Sequence, residues 1–111
     1  MTFARLFQYL VLPGQAQSYA AYLRDVVTVI DEDAHRAGIF DRLHTIIPDT
    51  AADWNHGRVF LFQDRAQRDG FAARMAERAA AFDGEADATA RRKAYAETLR
   101  RLVGVVDFQI D

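Results

Sequence analysis

The order of elements in this chain predicts an α+β fold, a four-stranded antiparallel sheet with its helices packed on one side. Three observations carry that expectation. The stretch Gly57–Asp69 reads as a buried strand, Arg58–Gln63, that enters a helix capped by Asp64 with no loop between them. Glycine and proline punctuation divides the rest into the order β-α-β-β-α-(α)-β. The first strand is apolar on both faces, which a sheet with one side in water would not be. The 111 residues are read as a single domain spanning residues 1–111. A chain of that length buries about 65% of its unfolded surface, enough for one core.

Taken in order, Ala4–Leu12 is the first strand. One face is Ala4, Leu6, Gln8, Leu10 and Leu12, the other Arg5, Phe7, Tyr9 and Val11, and Pro13-Gly14 ends it. Gln15–Ala37 is a long helix with Tyr19, Tyr22, Leu23, Val26, Ile30, Ala34 and Ala37 on one stripe and Gly38 as its stop. The β-branched run Val26–Ile30 favours a strand on propensity, but the stripe crosses it without a breaker. Asp31-Glu32-Asp33 oppose the helix dipole near its C-terminus, so the helix is expected to loosen after Ile30. Ile39–Ile47 is the second strand, with Phe40, Arg42, His44 and Ile46 sharing a face. Asp49–Gly57 closes a hairpin, with Asn55-His56-Gly57 as its tight turn.

Asp64 and Gln67 stand at capping-box spacing at the start of the next helix. That helix runs to Phe82 with Phe71, Met75, Ala79 and Phe82 inward, and Asp83-Gly84-Glu85 breaks it. A last helix, Ala88–Val103, turns Tyr95, Leu99, Leu102 and Val103 inward and stops at Gly104. Val105–Ile110 is the final strand.

Composition removes several functions. The chain has no cysteine, hence no disulfide, thiolate nucleophile or thiolate metal site, which fits a cytoplasmic, reducing setting. A net charge of −2 gives no field to attract nucleic acid or an anionic membrane. No apolar run approaches the ~20 residues that span a bilayer. Arg91-Arg92-Lys93 and Arg100-Arg101 read as a solvated outer helix face, not a nucleic-acid surface. P-loop, dinucleotide and nucleophile-elbow motifs are absent, and Ser18 is the only serine. Asp31 and His35, one turn apart, are too few for a metal site and read as a solvated acidic patch, so no metal and no cofactor is expected.

This element order is the split βαβ arrangement of a ferredoxin-like sheet. Right-handed crossovers place the main helices on one face. The other face is expected to carry Phe7, Tyr9, Val11, Phe40, Ile46, Phe60 and Phe62, and to be covered by a second copy in a two-fold dimer. With Leu12-Pro13-Gly14 before a helix holding Tyr19 and Leu23, Gly38 after it, and Val59–Phe62 running into Asp64–Arg68, the chain resembles the dimeric α+β barrel superfamily, within it the NIPSNAP-like and EthD-like small proteins. The resemblance implies a homodimer. The superfamily's members include cofactor-independent monooxygenases, isomerases, cyclases, haem proteins and proteins of unknown role.

Arg42 and His44 share a strand face, and the parity adopted here turns it into the cavity between the sheets, with Tyr9 joining from the first strand and Asp107 or Gln109 approaching from the fourth. There a histidine takes a proton from an acidic carbon or phenol and an arginine holds the oxyanion. Trp54, with His56 beside it in the hairpin loop, is the expected lid, and Phe7, Phe60 and Phe62 the expected apolar lining. The first functional reading is an apolar or aromatic small molecule undergoing cofactor-independent oxygenation, isomerisation or cyclisation. The second is a non-catalytic dimeric module whose sheet face is filled by the subunit contact. Neither involves nucleic acid or a membrane.

Overall fold

A computed structural model describes all residues, 1–111. The order is β1 (Thr2–Val11), α1 (Ala16–Tyr22), a π-helical turn (Leu23–Val27), α2 (Thr28–Arg36), β2 (Arg42–Ile46), β3 (His56–Phe62), α3 (Arg65–Asp83), α4 (Ala86–Leu99) and β4 (Arg100–Ile110). The strands form one antiparallel sheet in the order β2-β3-β1-β4, the ferredoxin-like arrangement. The molecule is a slab, 39 × 39 × 18 Å, with its helices on one side.

The junction of β3 and α3 forms as its sequence dictates. Asp64 is extended, and its carboxylate accepts the Gln67 N–H at 2.8 Å. The Gln67 side-chain oxygen reaches back to accept the Gln63 N–H at 2.7 Å, so two otherwise free donors are satisfied reciprocally. Gly84, at φ +87°, ends α3 in the left-handed conformation that glycine adopts without strain. Asp83 then ties α3 to α4, accepting from Arg92 Nε at 2.9 Å and from the Thr89 hydroxyl at 2.7 Å.

The first helix is continuous through the β-branched run, but it widens earlier than expected, at Leu23–Val27 and not after Ile30. A π turn holds one extra residue. The buried stripe therefore steps from Tyr19 and Tyr22 to Val27, Ile30, Asp31 and Ala34. That step brings Asp31 inward, so it is not part of a solvated acidic patch.

The last helix ends at Leu99, four residues sooner than its periodicity suggested. Leu99 is buried and its carbonyl accepts the Leu12 N–H at 2.9 Å, after which Arg100 and Arg101 pair with Val11 and Leu10. Pairing with the end of β1 captures these residues before the helix extends. Leu102 and Val103 therefore belong to a strand. Gly104 is no stop but a strand residue, where a Cβ would stand 2.7 Å from the Gln8 amide oxygen. Likewise His56 and Gly57 lie in β3, not in a turn.

The expected assignment of sheet faces is reversed for β1 and β3 and holds for β2, where Arg42, His44 and Ile46 lie on the far face. Phe7, Phe60 and Phe62 face the helices, where Phe60 and Phe71 ring centroids are 4.6 Å apart and Phe62 and Phe71 5.3 Å. Phe40, just before β2, packs in the same cluster, and Val11 and Tyr9 also lie on the helix side. Of the set expected on the far face, only Ile46 is there. The far face carries Ala4, Leu6, Leu10, Val59, Leu61, Val106, Phe108 and Ile110 by register. The physical reason is volume. Most of the bulky rings fill the gap between sheet and helices, and a mainly aliphatic set, with Phe108, is left outside. In the helices, Phe71 is the one buried residue of the α3 stripe, while Phe82 and Tyr95 are largely exposed.

Candidate functional site

Strand alternation and the shifted helix stripe bring six polar or aromatic side chains together on the helix side: Tyr9 from β1, His56 and Arg58 from β3, Arg100 from β4, and Tyr19 and Asp31 from the long helix. Arg100 is the centre. Its guanidinium carbon lies 4.1 Å from the Tyr9 ring centroid, 5.5 Å from Tyr19 and 6.0 Å from Tyr22. Its Nη1 donates to the Tyr19 hydroxyl at 3.1 Å. No carboxylate forms a salt bridge with it. Burial pushes the Tyr19 hydroxyl pKa up, against the opposing pull of Arg100, so the phenol stays protonated.

His56 meets Tyr19 edge to face at 5.1 Å, and its Nε2 is buried without a partner. Burial lowers its pKa, and the cations Arg58 and Arg100 lower it further, so the imidazole is neutral at pH 7. Arg58 forms a buried ion pair with Asp31, and its guanidinium also covers the Phe60 ring at 5.1 Å. Burial raises the Asp31 pKa, and the Arg58 charge and hydrogen bond oppose that rise.

Three clefts border this group. One of about 340 Å³ includes Tyr9, Tyr22, Leu102, Lys93, Glu97 and Arg100 in its walls. A second, of about 400 Å³, lies at the turn after β1, where Tyr19 and His56 meet Pro13 and Asn55. Asn55 clamps that turn, its Oδ1 accepting the Val11 N–H at 2.7 Å and its Nδ2 donating to the Val11 carbonyl at 3.3 Å. The third, about 370 Å³, lies between α2 and β2. In its wall Asp31 is committed to Arg58 and His35 Nε2 donates to the Asp41 carbonyl at 3.0 Å, while Glu32, Arg42 and His44 stand exposed. The first cleft alone offers a half-buried cation that lies over aromatic rings and forms no salt bridge, since Arg42 in the third is exposed.

The sequence-derived trio is not brought together. Tyr9 stands in the Arg100 cleft. Arg42 and His44 are exposed on the far face of the edge strand, opposite Leu61 and Val59. The sheet separates them from Tyr9 because β2 has opposite parity relative to β1. Trp54 packs over Gly57 on the far side, beside Ile46 and Leu6, and so does not lid the helix-side cleft. Phe7, Phe60 and Phe62 are core, filled around by Phe71 and Phe40. Asp107 is on the helix side, bonded by Arg5 at 2.7 and 3.1 Å, and is not near His44. The residues not singled out were Arg100, Tyr19 and Arg58, while Asp31 was weighed only as a metal ligand and His56 only as a lid or turn residue. One signal was available: Arg58 shares strand parity with Phe60 and Phe62, so a charge was bound to enter the layer that those rings enter. No group of three or more histidines or acids converges as a metal site would require, and no helix is long and apolar enough to cross a membrane.

No protein-family model matches the chain, and no curated protein does. Solved structures do. HapK from Hahella chejuensis aligns over 98% of this chain and 92% of its own, at 14% identity and a TM-score of 0.63. A dimeric ferredoxin-like protein of unknown function from Jannaschia sp. CCS1 aligns over 99% and 100%, at 13% identity and a TM-score of 0.58. The NE2512 protein of unknown function from Nitrosomonas europaea aligns over 100% and 93%, at 21% identity and a TM-score of 0.50. The narrower likeness to NIPSNAP-like and EthD-like proteins has no counterpart among these matches. At these identities the likeness is one of architecture, and the architecture it establishes for this chain is the ferredoxin-like fold.

Proposed function

We propose that the chain acts as a homodimer, closed through the far face of its sheet, that binds an apolar or aromatic small molecule in the 340 Å³ cleft on the helix side. The observation that carries the reading is the far face itself. Ile46, Val106 and Ile110 are 37%, 45% and 43% exposed there, beside half-buried Leu6, Leu10, Leu61 and Phe108. Covering each such side chain contributes up to about 1.5–3 kcal/mol. A self-complementary two-fold contact covers all of them with one operation. The Jannaschia neighbour, described as dimeric, and the resemblance to dimeric α+β barrels support the same assembly. The cleft falls in the range of roughly 300–1,000 Å³ usual for small-molecule sites. Because sheet face and cleft are on opposite sides, dimer contact and ligand do not compete for one surface. Arg42 and His44 belong, on this reading, to the margin of the subunit contact.

A second reading, that the dimer is an enzyme, rests on His56. A neutral imidazole with an unpartnered Nε2 beside two arginines is suited to take a proton from an acidic carbon or phenol. That step serves cofactor-independent oxygenation, isomerisation or cyclisation. Light scattering on a sizing column tests the assembly: the expected mass is twice 12.6 kDa, and a monomer at micromolar concentration overturns it. Native mass spectrometry of freshly purified protein tests the ligand. A co-purifying small molecule lost in Tyr9→Ala supports the cleft, and one retained in that variant places it elsewhere.

A further inference from the structure

We infer that Arg100 is an anion clamp and that the ligand of this cleft is an aromatic carboxylate; the inference rests on the cleft being the ligand site. Among the charged groups in the cleft wall, Arg92 is committed to Asp83, with Nε 2.9 Å from the carboxylate. Lys93 and Glu97 offset one another in formal charge. Arg100 remains, with one positive charge that no salt bridge balances; the acid that feels its field, Asp31, is already paired with Arg58. A half-buried cation without a counter-ion is a standing electrostatic cost that a bound anion removes.

The geometry narrows the anion. Tyr9 stacks on the guanidinium face at 4.1 Å, so that face is taken. Of the five N–H donors, one goes to the Tyr19 hydroxyl, and none of the others is a buried orphan. They remain free at the edge of a planar fork, the arrangement that binds a carboxylate through two parallel bonds. One uncompensated charge matches a monoanion, where a phosphate would bring about two negative charges. The Tyr9 and Tyr22 rings and Leu102 supply apolar walls for a flat hydrocarbon body attached to that carboxylate. Stacking also holds Arg100 in place before ligand arrives, so little side-chain freedom is lost on binding.

The test uses the full-length ¹⁵N-labelled protein titrated with 2-naphthoate and with its neutral isostere 2-naphthamide, followed by amide chemical shifts. The expected result is perturbation centred on Tyr9, Tyr22, Arg100 and Leu102, with the acid binding about tenfold tighter or more, the advantage of a charged over a neutral hydrogen-bonded pair. Arg100→Gln is expected to abolish the difference between the two probes, and Arg100→Lys to restore part of it. Equal binding of acid and amide overturns the anion clamp and leaves the apolar cleft standing. Binding of neither, or shifts confined to another surface, overturns both. Should Arg100→Gln fail to fold, the comparison of acid with amide on the unaltered protein still decides.

Discussion

Arg58 and Asp31 are 8% and 7% exposed, so both charges have left water. The desolvation of such a pair can match its attraction, yet breaking it strands one charge. Arg58→Met is therefore expected to lower unfolding free energy by about 3–5 kcal/mol, whereas the Asp31→Leu/Arg58→Met double variant recovers most of the loss. Urea unfolding of the three proteins measures both. Burial holds the Asp31 pKa above its unfolded value, so its own contribution to stability grows as pH falls through the folded-state pKa. His56 acts in the opposite sense. Its folded pKa is depressed, so below about pH 6.5 the unfolded chain binds the proton that the folded chain refuses. Between pH 7.5 and 5.5 the protein is expected to lose more stability than His56→Gln does, by at most about 1.4 kcal/mol per pH unit. A His56→Gln variant with the same pH slope would remove this account. Neither residue's place in this cluster was legible. Asp31 follows a run of apolar residues and looks like a surface acid until the extra residue of the π turn rotates it inward. His56 looks like a turn residue until β3 proves to start two residues earlier than expected.

Elements were more legible than sites, because a cap is written locally. Asp64 and Gln67 sit three apart, and nothing distant alters their bonding. Strand faces are different. Alternation fixes which residues travel together, but not which set meets the helices, and that is decided by how much volume each set fills. Val59 and Leu61 against Phe60 and Phe62 is such a choice. The end of α4 was likewise set by a remote partner, the exposed edge of β1 near Val11. Tight strand contacts also give a prediction at this scale. At Gly57 a Cβ would come within 2.8 Å of Ile46 Cγ1, 2.9 Å of Trp54 Cζ3 and 3.2 Å of Leu6 Cδ1. Gly57→Ala is expected to cost about 1–3 kcal/mol by overpacking, with a change in Trp54 fluorescence as the ring is displaced. An unchanged midpoint and spectrum would show that the added methyl fits without displacing Trp54, and would overturn the overpacking account.

At the scale of the whole molecule, the apolar surplus on the sheet was the one feature that survived a wrong assignment of faces. Either set, aromatic or aliphatic, leaves one side of a four-stranded layer in need of cover, so the expectation of a partner did not depend on parity. Val106 lies on that side and is half exposed, so Val106→Arg costs the single chain little while placing two like charges against one another across a two-fold contact. Light scattering is expected to show a folded monomer, with circular dichroism unchanged. A Val106→Arg protein that remains dimeric would assign the contact to another surface. The π turn has a wider effect than its five residues suggest. That turn takes up one residue more than an α turn, so deleting solvent-facing Arg24 lets it close to α geometry and leaves Val27, Ile30, Asp31 and Ala34 on their faces. The same deletion at exposed Val29, in the regular helix beyond the turn, has nothing to absorb it: each residue advances a helix by about 100°, so Asp31 would leave Arg58 and Ala34 would leave the phenylalanine cluster. Slack in the length of this helix is thus stored in one wide turn and nowhere else along it.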